Sequence, residues 1–75
     1  MELEAQSRAD ELVRLSARVR ELRQERGVTQ QQLADAIGVH RVNLNRFENG
    51  RADLGVSRIR ALAEALNVEP SQLFE

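Results

Sequence analysis

Residues 29–48, TQQQLADAIGVHRVNLNRFE, decide the fold of this chain because they encode two short helices separated by a tight turn. Thr29 stands where the N-cap of a helix is expected, and Gln32 follows three residues later, which is the spacing of a reciprocal capping box. Gly38 comes after the first helix, at the point where the chain needs a left-handed conformation that costs glycine little. The stretch therefore predicts a helix, a sharp turn and a second helix.

The two predicted helices, over 30–37 and 41–48, each have an apolar side. The inward positions carry the apolar residues Leu33, Ala34, Ile37, Val39, Leu44 and Phe47. The second helix leaves a different set on its opposite surface: Arg41, Val42, Asn45 and Arg46. This arrangement predicts a helix-turn-helix motif, whose second helix enters the major groove of DNA. Arginine and asparagine side chains suit the hydrogen-bonding groups of base edges and phosphates.

Length and composition favour a small binding module over an enzyme. The chain of 75 residues can form one domain with a modest core, and dimerisation would add stability at this size. It has no cysteine and a single histidine, His40, so disulfides and thiolate metal sites are excluded. We find no carboxylate pair, no nucleophile with a base and no phosphate-binding loop, so we expect no catalysis, no cofactor and no small-molecule ligand.

The sequence also carries no sign of membrane insertion or export. No apolar run approaches the roughly 18 residues that a transmembrane helix needs. The polar, acidic N-terminus lacks the charged-then-apolar order of a signal peptide. We therefore expect a soluble cytoplasmic protein.

Charge is distributed unevenly along the chain, although the net charge is only −1. Residues 1–13 and residues 61–75 each have a net charge of −3. Residues 14–60 hold ten arginines against five acids, a net charge of +5. A basic middle segment is what a DNA-binding surface requires. All eleven basic residues are arginine, which suits forked contacts to phosphate and guanine, although a GC-rich genome would produce the same bias.

Periodicity outside the motif completes an all-α fold of five helices. A first helix ends at Gly27 and has an apolar stripe at Leu12, Leu15, Val19 and Leu22. A polar loop follows the motif at 49–53, and a fourth helix begins within 55–57 and ends at Leu66. A last short helix starts at Pro70 and includes Phe74. We assign residues 12–75 to the DNA-binding domain, and residues 1–11 either extend the first helix or are disordered.

Several motifs together resemble the phage-repressor and Cro family of helix-turn-helix regulators, also called the xenobiotic-response-element family. They are RELRQERGVTQ at 20–30, LA at 33–34, GV at 38–39, ENG at 48–50 and LAEAL at 62–66. The resemblance covers residues 16–74 and implies a compact, lambda-repressor-like domain. The closing VEPSQLF at 68–74 is similar to the controller proteins of restriction-modification systems. The chain departs from the family in its additional N-terminal residues, at Leu54-Gly55, where many members have Pro-Ser, and at His40, where Ser or Thr is usual.

The resemblance implies roles for five residues outside the exposed face of the second motif helix. It places Gln30 beside the DNA backbone at a helix N-terminus. It places Arg23 and Glu48 in a partly buried ion pair that ties the first helix to the third. The loop after the third helix typically follows the backbone in this family, so Asn49 and Arg51 are expected phosphate contacts.

The residue types themselves suggest how the second motif helix meets DNA. Arg41 and Arg46 are predicted to contact bases or phosphates rather than form a merely solvated surface. Asn45 can pair with adenine, and Val42 can touch a thymine methyl group. Asn43 lies towards the flank, where a phosphate is the expected partner. His40 is placed with these residues at the interface, and we expect its imidazole to serve as an improvised N-cap rather than a pH switch.

Six apolar residues after the motif exceed what one small core layer requires: Leu54, Val56, Ile59, Val68, Leu73 and Phe74. We predict that they include a homodimer interface, since members of the family commonly bind paired half-sites about 34 Å apart. Two alternatives remain open. All six can belong to the monomer core, or the chains can pair through a coiled coil along 3–15, although Ala5 and Arg8 interrupt its apolar stripe.

The sequence is consistent with two functional classes. The first is a sequence-specific transcriptional regulator, a repressor or a restriction-modification controller, that binds palindromic double-stranded DNA as a dimer. The second is an antitoxin-type protein that binds a partner toxin as well as operator DNA.

Overall fold

Four α-helices and a terminal 3₁₀ helix form the part of the chain described by the computed structural model, which is the backbone of residues 2–75 and the side chains of residues 8–75. The helices are α1 (Glu2–Glu25), α2 (Gln30–Ile37), α3 (Arg41–Glu48), α4 (Val56–Ala65) and the 3₁₀ helix (Pro70–Phe74). Residues 2–75 contain no strand. The predicted all-α fold with a central helix-turn-helix is therefore confirmed.

The fifth helix differs from the prediction in its type, because it is a 3₁₀ helix of five residues rather than an α-helix. So short a segment can form only one or two turns, a length at which the 3₁₀ geometry is common. Pro70 is its first residue, and the backbone N–H of Glu69 donates to Oε1 of Gln72 at 2.7 Å. The chain is thus fixed in direction as it leaves α4.

Helix α1 begins at Glu2 and so includes most of the segment 1–11. Leu15, Val19 and Leu22 of its predicted stripe are buried, and Leu12 packs against the core from the edge. The described residues do not include Met1 or the side chains of Leu3 and Ala5. The alternative of a coiled coil along 3–15 therefore stays a prediction. The division into an extension and a domain stays a prediction.

One hydrophobic core joins all five helices. Its largest fully buried apolar side chains are Phe47, Leu33, Leu44, Leu62, Leu66, Leu73 and Val19. Helix α2 packs against α3 and α4, whereas α1 packs against α3 and the 3₁₀ helix. Helix α3 therefore has neighbours on its inner side and solvent on its outer side. None of the described helices combines the length and apolar composition that crossing a bilayer requires.

The motif begins and turns as the sequence predicts. The backbone N–H of Gln32 donates to the Thr29 hydroxyl at 3.0 Å, and the Thr29 N–H donates to the Gln32 side-chain oxygen at 2.9 Å. Gly38 has a φ of 74° and a ψ of 35°, and the next N–H, of Val39, donates to the Ala34 carbonyl at 3.0 Å. This hydrogen bond across the left-handed residue ends α2 and redirects the chain into α3.

The same hydrogen-bond pattern ends the other three α-helices, with Gly27, Gly50 and Asn67 at the left-handed position. Asn67, with a φ of 56°, is the only described residue other than glycine that has a positive φ. Asparagine tolerates this region better than most residues with a side chain. The fold therefore stops each α-helix by local backbone geometry, which leaves the short connections little freedom.

Substitution at Gly38 should show the cost of the left-handed conformation alone, because a Cβ added there meets nothing within 4 Å. We expect Gly38→Ala to lower the free energy of unfolding by about 1–2 kcal/mol. Gly38→Asn should lower the free energy of unfolding by less, since Asn67 adopts the same conformation after α4. Urea denaturation followed by circular dichroism measures both. An alanine variant as stable as the wild type would show that the turn does not require this conformation.

Candidate nucleic-acid interface

The outer surface of α3 consists of four polar or basic side chains and one valine. Leu44, Phe47 and Glu48 are buried, and the positions between them are exposed: Arg41, Val42, Asn43, Asn45 and Arg46. Because an α-helix repeats every 3.6 residues, burial of one side leaves the other side as a continuous surface. The structure thus brings together the α3 residues that the sequence predicted to contact DNA. No group of three or more acidic or histidine side chains among the described residues could hold a metal ion.

A buried carboxylate fixes the inner side of α3 to its neighbours. Glu48 accepts two hydrogen bonds from Arg23 of α1, from Nε at 2.7 Å and from Nη2 at 3.0 Å. The side chains are only 12% and 2% exposed for Arg23 and Glu48 respectively. The remaining Arg23 nitrogen, Nη1, donates to the Val28 carbonyl at 2.9 Å. This bidentate pair, which the family resemblance implied, therefore joins the end of α1 to the end of α3.

Gln30, the first residue of α2, completes the set of donors to Glu48. Its Nε2 donates to Glu48 Oε1 at 2.9 Å, so one carboxylate joins α1, α2 and α3. The sequence did not predict this bond, because the two residues lie 18 positions apart and no local pattern relates them. Only the packing of the helices brings them together.

A line of amide groups leads from the buried carboxylate to the outer surface. Asn45 Nδ2 donates to the Gln30 side-chain oxygen at 3.4 Å. Asn49 Nδ2 in turn donates to Asn45, to its Oδ1 at 3.2 Å and to its backbone carbonyl at 2.9 Å. The four-residue spacing of Asn45 and Asn49 on a helix end was a sequence signal for this second contact. The orientation of the Asn45 amide is therefore set before any ligand binds.

His40 occupies the N-cap position of α3 but does not cap it with its side chain, so that expectation was wrong. The N–H groups of Asn43 and Leu44 donate to the His40 backbone carbonyl at 2.9 and 3.1 Å, as in the first turn of other helices. Capping side chains carry an acceptor oxygen close to the backbone, and the larger imidazole ring has none. His40 is exposed at the start of α3, beside the predicted contacts.

The loop after α3 contains two further residues that are predicted to contact DNA, and both are exposed. Asn49 and Arg51 are exposed, and the Arg51 N–H donates to the Arg46 carbonyl at 2.9 Å as the chain leaves the helix. Between them Gly50 lies against α1, where an added Cβ would approach Val13 Cγ2 at 3.3 Å. The loop is therefore held close to the body of the protein, and its polar side chains extend the surface of α3.

Comparison with known proteins identifies the family. A family model described as helix-turn-helix matches residues 19–73, more than half of the chain. This chain belongs to the helix-turn-helix family. The resemblance to phage-repressor and Cro regulators noted in the sequence is thereby confirmed.

Among solved structures, this helix-turn-helix protein is similar to the restriction-modification controller protein C.AhdI from Aeromonas hydrophila. The two chains are 38% identical with a TM-score of 0.80, and the match covers 84% of this chain and 96% of the controller.

Two sequence relatives share the helix-turn-helix region. The competence pilus inhibition repressor of Acinetobacter baylyi is 41% identical over 56 residues, which are 75% of this chain and 51% of the repressor. The HTH-type transcriptional regulator y4wC of Sinorhizobium fredii is 36% identical over 58 residues, which are 77% of this chain and 41% of that regulator. The chain thus spans about half the length of these relatives or less. The matched region is the helix-turn-helix domain, which this chain shares with these transcriptional regulators.

The six apolar residues predicted for a dimer interface of this helix-turn-helix protein separate into three groups. Val56 and Phe74 are exposed, at 89% and 56%. Leu54, Ile59 and Val68 are half-buried at the edge of the core. Leu73 is only 1% exposed and packs inside the monomer, so it has no surface to offer a second copy and its assignment to an interface is corrected.

Removal of the Glu48 carboxylate should destabilise the protein far more than removal of an exposed carboxylate with an equally short ion pair. We expect Glu48→Ala to lower the free energy of unfolding by about 3–5 kcal/mol, because Arg23 would stay buried without its partner. Glu21→Ala is the matched control: its pair with Arg18 is 2.8 Å long but exposed, and its loss should cost less than about 1 kcal/mol. Urea denaturation measures both. Equal losses in the two variants would contradict a structural role for the Arg23–Glu48 pair.

Proposed function

We propose that this protein is a sequence-specific DNA-binding regulator that acts as a homodimer on a palindromic operator, in the manner of a restriction-modification controller protein. One observation carries the proposal. The outer face of α3 presents exposed Arg41, Asn45 and Arg46, and the inner face of the same helix is fixed to α1 and α2 through Glu48. A helix held in this way can enter a major groove without losing its orientation.

Base recognition is assigned to four side chains on the outer face of α3. Arg41 and Arg46 can each offer a guanidinium fork to guanine, and Val42 can contact a thymine methyl group. Asn45 is suited to adenine, because its amide keeps one N–H and one lone pair after its bonds to Gln30 and Asn49. Those two free positions match the donor and acceptor that adenine presents in the major groove.

Phosphate contacts are assigned to the residues around the proposed base contacts. Gln30 uses one hydrogen of its side-chain amide on Glu48 and keeps the other, at the N-terminus of α2, where an anion is favoured. His40 and Asn43 lie at one end of α3, and Asn49 and Arg51 lie at the other. The net charge of +5 over residues 14–60 supports attraction to the duplex backbone, although the whole chain is slightly acidic.

A homodimer supplies the second half of the site. Helix α3 has only eight residues and can contact few base pairs, so one copy offers little specificity. We assign the two-fold contact to exposed Val56 and Phe74 and to half-buried Ile59, which line one groove, and we keep half-buried Leu54 and Val68 as further candidates. The likeness to C.AhdI, a controller of which 96% is covered, supports regulation in a restriction-modification system.

Specific DNA binding predicts different consequences for two arginines. We expect Arg46→Ala to cost about 1–3 kcal/mol and to relax the preference at one base position, since it loses a base contact. Arg51→Ala should weaken binding to all sequences alike, since it loses a phosphate contact. Selection of duplexes from a random library, followed by affinity titration at several salt concentrations, measures both effects.

Two outcomes of that experiment would contradict the proposal. If the wild-type protein enriches no sequence from the library, it is not a sequence-specific binder. If both variants lose selectivity to the same extent, the assignment of base and phosphate contacts is wrong.

The proposed dimer predicts that charge at its surface weakens self-association and operator binding together. Phe74→Glu and Val56→Glu should both do so, because an acidic side chain would face its own copy across the two-fold axis. Ala65→Glu, which adds the same charge at an exposed position of α4 outside the proposed surface, is the matched control. Sedimentation at micromolar concentration gives the oligomeric state, and circular dichroism verifies folding. A wild-type monomer that binds one palindromic site without cooperativity would overturn the homodimer.

A further inference from the structure

A groove of about 400 Å³ lies beside α3. Its lining comprises Val39 before α3, Asn43 and Arg46 of α3, residues 52–54 of the following loop, and Arg58 of α4. Arg58 is absent from the contacts that the sequence predicted. The groove therefore adds a basic side chain from a different helix to the edge of the α3 surface.

Arg58 has no compensating partner within the described residues. Its side chain forms no hydrogen bond and no ion pair with any residue in that part of the chain, and only its backbone N–H is engaged, with the Gly55 carbonyl at 3.2 Å. The residue is nevertheless half-buried. A guanidinium that lines a groove without an internal anion is available to bind an external anion.

Asp53, the acidic residue in the groove, does not serve as an anionic partner for Arg58. Asp53 Oδ1 accepts a hydrogen bond from the Gly55 N–H at 3.0 Å, which holds the loop before α4. No salt bridge of 4.0 Å or less joins Asp53 to Arg46 or Arg58. With two guanidinium groups and one carboxylate, the lining of the groove has a net charge of +1.

We infer that this groove binds a phosphate of the DNA backbone, with Arg58 as the principal donor and Asn43 as a second. The inference rests on the proposed function, since Asn43 and Arg46 belong both to the groove and to the exposed surface of α3. An anion in the groove would lie next to the bases that α3 contacts, and the nearest anion there is the backbone of the same duplex. Arg46 belongs both to the groove and to the exposed surface of α3, so it can reach a base edge. Arg58 meanwhile binds a backbone phosphate.

The test compares four variants on two DNA probes: a duplex selected from a random library and an unselected duplex of random sequence. Arg58→Gln should weaken binding to both probes by roughly 3- to 30-fold and should reduce the slope of affinity against salt by about one per protomer. Arg58→Lys keeps the charge and should stay within about threefold of the wild type. Asp53→Asn keeps the oxygen that accepts from Gly55 and removes the charge, so it should tighten binding to both probes.

Arg60→Gln is the matched control, because Arg60 is exposed on the same helix and does not line the groove. It makes the same change in net charge and should alter affinity by less than about twofold. If the wild type binds DNA but Arg58→Gln behaves like Arg60→Gln, the phosphate groove is wrong and the proposed function stands. If the wild type binds neither probe, both proposals fail. Circular dichroism verifies the fold of each variant. Where Arg58→Gln is unfolded, an Asp53→Asn variant that binds no more tightly than the wild type would contradict the phosphate groove.

Discussion

The carboxylate of Glu48 is buried beneath α3, and the relative placement of three helices depends on how its oxygens are satisfied. Arg23 of α1 supplies two of its hydrogen bonds and Gln30 of α2 supplies a third. A buried charge without such partners would be strongly destabilising, so native packing is coupled to these bonds. In a domain whose core is small, this polar contact fixes an orientation that apolar side chains alone would specify less well.

Helix α3 serves two purposes because its two sides are chemically separate. Leu44 and Phe47 join the hydrophobic core, and Glu48 joins the ion pair, so the inner side resists rotation. The outer side then exposes amide and guanidinium groups on a helix that need not move to meet a ligand. Preorganisation of this kind reduces the entropy lost on binding. Asn45 illustrates it best, since its amide is already held between Gln30 and Asn49.

Local signals explain why so much of the fold was predictable. The Thr29–Gln32 capping box, the left-handed Gly38 and the apolar spacings each act within one or two helical turns, where sequence distance and spatial distance agree. Two expectations failed because they depended on the geometry of one side chain or on which side chains are buried. His40 occupies the N-cap position, but its imidazole makes no capping hydrogen bond. Leu73 is part of the core rather than the surface. A short apolar segment such as 68–74 does not reveal which of its residues face inward until its neighbours are placed.

The sequence by itself determined the all-α class, the position of the helix-turn-helix and the set of side chains on the outer face of α3, because hydrophobic periodicity and capping are properties of consecutive residues. Tertiary structure alone decided that Gln30 shares the carboxylate of Glu48 with Arg23, and that Arg58 of α4 lines the same groove as Arg46. These contacts join residues on different helices. Their geometry arises from the angles at which α1, α2, α3 and α4 pack, and no pattern within a single helix encodes those angles.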